Sequence, residues 1–176
     1  MGYKILSKNL VLTGMMGVGK STIGKSLALK LAYSFIDVDK IIEKKEGCSI
    51  SSIFKNKSED YFRKLENDVT QHELKKKNSV ISLGGGAFLN ASIRKNVKNT
   101  SVSFWIDVST EILIKRLSKS KKRPLLYKRN ISEAVNKIYL ERKKTYSEAD
   151  YRIKCGNLKL DDIVKKILRM YEDSRN

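Results

Sequence analysis

Apolar and polar positions along this chain repeat with two periods, and the two take turns. Short apolar runs read as buried strands: Leu10-Val11-Leu12-Thr13, Phe35-Ile36-Asp37-Val38-Asp39, Ser79-Val80-Ile81-Ser82-Leu83, residues 101–107, and Tyr151-Arg152-Ile153-Lys154-Cys155. Between them lie stretches of helical period. Ile23, Leu27, Ala28 and Leu31 share one helical face after the first run. Further helices are expected over about 90–98, over about 109–118, from Asn130 onward through Val135 and Ile138, and from Leu160 to Tyr171. The region from 38 to 78 departs from the alternation: it predicts helices over about 40–46, 49–56 and 58–77 with no strand between them. Strands separated by helices imply an α/β fold around a parallel sheet, because parallel neighbours need a crossover. The run of helices then reads as an insertion beside the sheet, placed where it could wall off a second pocket.

Length and composition narrow this reading. A chain of 176 residues is one domain's worth and can build a core without staples. No apolar run approaches the ~18 residues of a membrane span, and the first strand begins so early that no signal or transit peptide is expected. Cys48 and Cys155 are far apart and lack a metal-binding spacing, so reduced thiols and a cytoplasmic location are expected. His72 is the single histidine, which argues against a histidine triad or a zinc centre. The formal charge of +18 favours anionic ligands, yet its lysines and arginines are spread along the chain without interleaved aromatics. A solvated surface is the expectation, with no nucleic-acid or membrane partner.

The candidate chemistry begins directly after the first strand. Gly14-Met15-Met16-Gly17-Val18-Gly19-Lys20-Ser21 fits G-x-x-x-x-G-K-[ST] between a strand and a helix. Glycines let backbone N–H groups turn inward on a phosphate, the helix N-terminus adds positive potential, Lys20 can reach the β- and γ-phosphates, and Ser21 can ligate Mg²⁺. At the end of the second run, Asp37 and Asp39 are two apart and so are expected to project together from a strand end, a carboxylate pair suited to a Mg²⁺–nucleotide site. Asp39 is also well placed to cap the following helix.

The other half of the chemistry is scattered. In the long helix Phe62, Leu65, Glu66 and Val69 fall on one stripe, so Glu66 interrupts an apolar face, and Arg63 lies three residues away as its partner. Gly84-Gly85-Gly86 exceeds what one turn needs and suggests close backbone approach to a ligand. Residues 118–130, basic and holding the sole proline, Pro124, suit a lid over phosphates or a surface linker. Arg142 continues the apolar face of Val135, so it is expected to meet either a bound anion or an internal carboxylate.

Together these residues resemble the shikimate kinases, nucleoside-monophosphate-kinase-like P-loop proteins. The likeness rests on 14–22, Asp37-Val38-Asp39, Gly47-Cys48-Ser49-Ile50, Phe62-Arg63-Lys64-Leu65-Glu66, Ser82-Leu83-Gly84-Gly85-Gly86, Arg123-Pro124-Leu125-Leu126, Arg142 and Tyr146-x-x-Ala149. The ordered combination is far more discriminating than the phosphate loop alone. It implies one domain over 1–176, in three α/β/α layers with a five-stranded parallel sheet of order 2-3-1-4-5, a substrate-binding insertion at about 38–78 and a lid at about 118–130. It also implies ATP and Mg²⁺ as cofactors, shikimate as substrate and a monomeric enzyme. By resemblance Gly14, Gly17, Val18, Gly19, Lys20, Ser21 and Thr22 would hold ATP phosphates, with Ser21 and Asp37 on the metal and Arg116 against adenine. Asp39 would bind the shikimate hydroxyls and act as base. Arg63 and Arg142 would clamp the carboxylate, with Glu66 orienting Arg63 and Gly84, Gly85 and Gly86 lining the pocket. Lys20, Asp39 and Arg123 would be catalytic, Arg123 closing with the lid. Ser58 stands where the family usually has glycine, a departure expected to touch a helix start and no ligand. Gluconate kinase, or a nucleotide-dependent nucleic-acid-binding protein, are the alternatives.

Overall fold

A computed structural model describes residues 8–118, 130–156 and 158–174. The strands are β1 (Asn9–Thr13), β2 (Ser34–Asp37), β3 (Ser79–Ser82), β4 (Ser101–Asp107) and β5 (Tyr151–Lys154). They form one parallel sheet in the order β2-β3-β1-β4-β5, as expected. Every residue of β1, β3 and β4 is buried, which requires helices on both faces of the sheet. The helices are α1 (Lys20–Leu31), α2 (Val38–Glu46), α3 (Ile50–Asn56), α4 (Glu59–Glu73), α5 (Ala91–Thr100), α6 (Thr110–Ser118), α7 (Ile131–Tyr146) and α8 (Leu160–Asp173), with a 3₁₀ turn at Ala87–Leu89. The core centres on Leu10, Leu12, Leu27, Ile81, Phe104 and Trp105, all essentially without solvent contact.

Strand order positions the site. From β1 the chain crosses to the edge strand β2, returns to β3 beside β1, and then crosses to β4 on the far side of β1. The connections therefore reverse between β1 and β3, the switch point where α/β sheets open a crevice at their carboxyl ends. Leu12 pairs with both Ser82 and Phe104, and Asp37 pairs with Ser82. That register brings the segments after β1, β2 and β3 to one edge, where the phosphate loop, Asp39 and the triple glycine meet. Helices α2, α3 and α4 follow β2 without an intervening strand, which is the expected insertion. Ser58 caps α4 by accepting from the Tyr61 N–H at 3.1 Å, so the departure at that position does begin a helix.

One expectation fails. The second strand stops at Asp37 rather than running to Asp39, and Asp37, not Asp39, is the N-cap of α2, accepting from the Lys40 N–H at 3.3 Å. Capping satisfies an orphan donor and commits the next residue to helix, so Val38 turns into the core and Asp39 enters the first turn. The two aspartates therefore do not project together. Beside them β2, an edge strand, runs along a shallow groove lined by Lys25, Lys40, Lys44 and Lys76. Lysines at a sheet edge discourage strand addition by another chain, which gives part of the positive charge a structural use.

Candidate active site

A cleft of 1030 Å³ opens at the carboxyl end of the sheet, bounded by the phosphate loop, α2, α3, α4, the triple glycine and α7. One wall is the loop from Gly14 to Ser21. Its backbone enters α1 through Gly19 at φ 97°, a left-handed conformation that glycine adopts without strain. Lys20 is nearly buried and folds back along the loop, its Nζ donating to the carbonyls of Gly14 (2.9 Å) and Met15 (3.0 Å). The ammonium is thereby held at the mouth of the loop. The Ser21 hydroxyl donates to Asp37 Oδ2 at 2.6 Å. A hydroxyl and a carboxylate at the N-terminus of a helix, across from a phosphate cradle, form the oxygen donor set a hard divalent cation takes alongside water and phosphate. The residues present thus fit Mg²⁺. Arg116, on α6, leans over the same loop and donates to the Gly17 carbonyl at 3.3 Å.

The opposite wall is built from distant segments. Arg63, projecting from α4, donates through Nη1 to Glu66 Oε2 at 2.7 Å and through Nη2 and Nε to Glu59 Oε1 at 3.1 and 3.3 Å. Glu66 is 2 % exposed, so the pair is not a surface salt bridge at the stripe's edge. Its second oxygen, Oε1, is buried with no hydrogen-bond partner among the described residues. Burial pushes the Glu66 carboxyl above the usual range, Arg63 opposes this, and Asp39 adds to it.

The triple glycine explains why these groups lie so close together. A Cβ on Gly84 would collide with Glu66 Oε1 and would stand 2.7 Å from Asp39 Oδ1; one on Gly86 would stand 2.5 Å from Arg63 Nη1. Any side chain at either place would displace the charged groups, so this is no flexible exit turn. Arg142, on α7, is almost buried, and its Nη1 meets the Gly85 carbonyl at 2.8 Å rather than an internal carboxylate. Its remaining N–H donors belong to a side chain that lines the cleft.

The structure thus brings together Lys20, Ser21, Asp37, Asp39, Arg63, Glu66, Gly85, Gly86 and Arg142 around one cleft, from positions as far apart in the chain as 20 and 142. Arg123 and residues 119–129 of the expected lid lie outside the described residues. Two participants had gone unassigned. Glu59 is a second anchor for Arg63, and its i, i+4 spacing was the available signal. Tyr146, singled out before only within the Tyr146-x-x-Ala149 likeness and given no role, donates to the Gly85 carbonyl, a long-range contact that periodicity does not announce.

Comparison with known proteins decides the family. The family model described as shikimate kinase matches residues 16–172. The chain belongs to the shikimate kinase family. The shikimate kinase of Aquifex aeolicus is 42 % identical over 163 residues, spanning 93 % of this chain and 95 % of that protein. A solved shikimate kinase from Acinetobacter baumannii in complex with shikimate superposes with a TM-score of 0.91 at 32 % identity, covering 95 % of this chain and 94 % of that one. A gluconokinase from Sinorhizobium meliloti 1021 shares the fold alone, with a TM-score of 0.57 at 16 % identity over 98 % of both chains. Membership makes this shikimate kinase relative a P-loop phosphotransferase, and the fold-only likeness of the gluconokinase leaves that alternative without specific support.

Proposed function

We propose that this chain transfers the terminal phosphoryl group of ATP to the 3-hydroxyl of shikimate, giving shikimate 3-phosphate and ADP on the route to chorismate and the aromatic amino acids. The observation that carries this reading is the placement of two guanidinium groups, Arg63 and Arg142, beside Gly86 and Gly85 in the same cleft as the phosphate loop. Guanidinium matches carboxylate in a bidentate way, so an acceptor carrying an acid is favoured over a neutral sugar.

Phosphoryl transfer asks mainly for positioning and charge neutralisation. In this reading the loop amides from Gly14 to Thr22 and Lys20 hold the phosphates, and Arg116 lies against adenine. Ser21 and Asp37 hold Mg²⁺, which when bound neutralises charge on the phosphate oxygens. Arg63 and Arg142 fix the substrate carboxylate, which turns the hydroxyls toward Asp39. Asp39 accepts the proton of the 3-hydroxyl as its oxygen bonds to the γ-phosphorus and the bond to ADP breaks. Arg123 would meet the transferring group when the lid closes. We take the working form to be a cytoplasmic monomer without nucleic-acid or membrane partners; among the described residues no helix is long and apolar enough to cross a membrane.

The test is ADP release measured with shikimate, gluconate and nucleoside monophosphates side by side. Shikimate is expected to be preferred by several orders of magnitude in kcat/KM, and comparable turnover of gluconate would overturn the assignment.

A further inference from the structure

Tyr146 closes α7, has no solvent exposure, and packs its ring on Trp105 of β4 with centroids 6.0 Å apart. Its hydroxyl donates to the carbonyl of Gly85, and Arg142, one helical turn earlier, donates to that same carbonyl at 2.8 Å. A carbonyl oxygen has two lone pairs, so these two donors occupy its capacity and fix both its position and its direction. Burial holds the phenol above its ordinary value, against the pull of Arg142 and Arg63, so it remains a donor at neutral pH.

We propose that Tyr146 is a positioning residue for the acid-binding half of the site, its hydroxyl clamping the Gly85 carbonyl so that Arg142 presents its remaining N–H donors to a substrate carboxylate in one fixed direction. This rests on the reading of Arg142 as a carboxylate ligand. The guanidinium is a rigid planar fork, so anchoring one of its nitrogens on a fixed acceptor sets the plane of all the others. The same clamp holds the middle of the triple glycine, whose neighbours Gly84 and Gly86 press against Glu66, Asp39 and Arg63. One side chain thereby joins α7, β4 through its ring and the glycine segment through its hydroxyl, beside the place the acceptor would take. A tyrosine that merely filled the core would need only its ring.

Tyr146→Phe keeps that ring and removes the clamp. The full-length enzyme is compared as wild type, Tyr146→Phe, Arg142→Ala, the double variant and Tyr171→Phe. Tyr171 is an equally buried tyrosine on α8, and its hydroxyl donates to the Lys8 carbonyl at 2.7 Å, so it supplies the same chemical deletion outside the cleft. KM for shikimate and for ATP, calorimetric shikimate Kd and Tm are recorded for each. Tyr146→Phe is expected to raise shikimate KM and Kd roughly tenfold, the scale of one lost buried hydrogen bond, with ATP KM unchanged. With Arg142 already replaced, the same deletion is expected to change shikimate Kd by less than about threefold, because the two donors act through one carbonyl. Tyr171→Phe is expected to lower Tm and leave both KM values in place. The proposal is overturned if Tyr146→Phe behaves like Tyr171→Phe, or if its effect on shikimate Kd is the same with and without Arg142. If Arg142→Ala itself leaves shikimate Kd unchanged, the carboxylate assignment fails, and the proposal with it.

Discussion

Lys20 reaches its two carbonyl partners across five and six residues of chain, whereas Arg142 reaches the Gly85 carbonyl across 57. The two walls of the cleft differ in this way throughout. The phosphate wall is one turn between a strand and a helix, with backbone amides and a helix end as its chief chemistry. The acceptor wall joins α2, α4, the glycine segment and α7, and its chemistry is carried by side chains at close quarters. A nucleotide phosphate is common to many reactions and can be held by a local motif. An acceptor that bears a carboxylate and hydroxyls must be met from several directions, which only a folded chain supplies.

If the walls are this different, damage to each should differ in kind. Lys20→Ala should strike every substrate alike: kcat is expected to fall about a thousandfold or more, as when a preorganised charge is removed from a transition state. Steady-state ADP release measures it, and near-normal turnover would dissolve the phosphate-wall role. Asp39→Asn tests the point where the walls meet. A loss of about a hundredfold in kcat is expected for a missing base, with Tm close to wild type. Should kcat hold and only Tm fall, Asp39 is a structural residue.

Gly84→Ala probes the acceptor wall by steric means alone. The added methyl meets Glu66 and Asp39, so shikimate KM is expected to rise about tenfold and Tm to drop by roughly 2–8 °C, a cost of order 1–2 kcal/mol. An ATP KM that rose in step would mean the walls are not separable. The smallest effect expected is that of Glu66→Gln on the pH dependence of stability. The Glu66 carboxyl holds its proton more tightly in the folded than in the unfolded chain, chiefly because it is buried. Its favourable contribution is complete below the unfolded value near 4.5 and is lost as pH rises through the higher folded value. The glutamine variant is therefore expected to gain in Tm relative to wild type as pH increases through that window, while shikimate KM rises about threefold as Arg63 loses a charged partner. A gap that moved the other way would show that Arg63 more than offsets the burial.

Much of this was legible in the residues. The strands, the helical insertion and the phosphate loop follow from periodicity and a contiguous motif, and the strand order from the family resemblance. Glu66 and Arg142 stood out as charges on apolar stripes, with Arg63 as the partner of Glu66. The second strand shows where such reading stops. Asp37 and Asp39 look like a pair on one strand, but capping ends the strand between them and sends one toward Ser21 and the other toward Gly84. Capping is decided by which backbone donor lacks a partner, and that depends on where the helix packs. Tyr146 shows a second limit, because its partner is a backbone carbonyl 61 residues away.

By itself, then, the sequence determined the α/β fold, the phosphate loop and which charges had to find partners, since these depend on local period, local turn chemistry and the cost of burying a charge. The tertiary structure alone decided the distant partners: Ser21 for Asp37, and one shared carbonyl for Arg142 and Tyr146. Those pairings depend on strand register and helix packing, which set distances between residues that the chain keeps far apart.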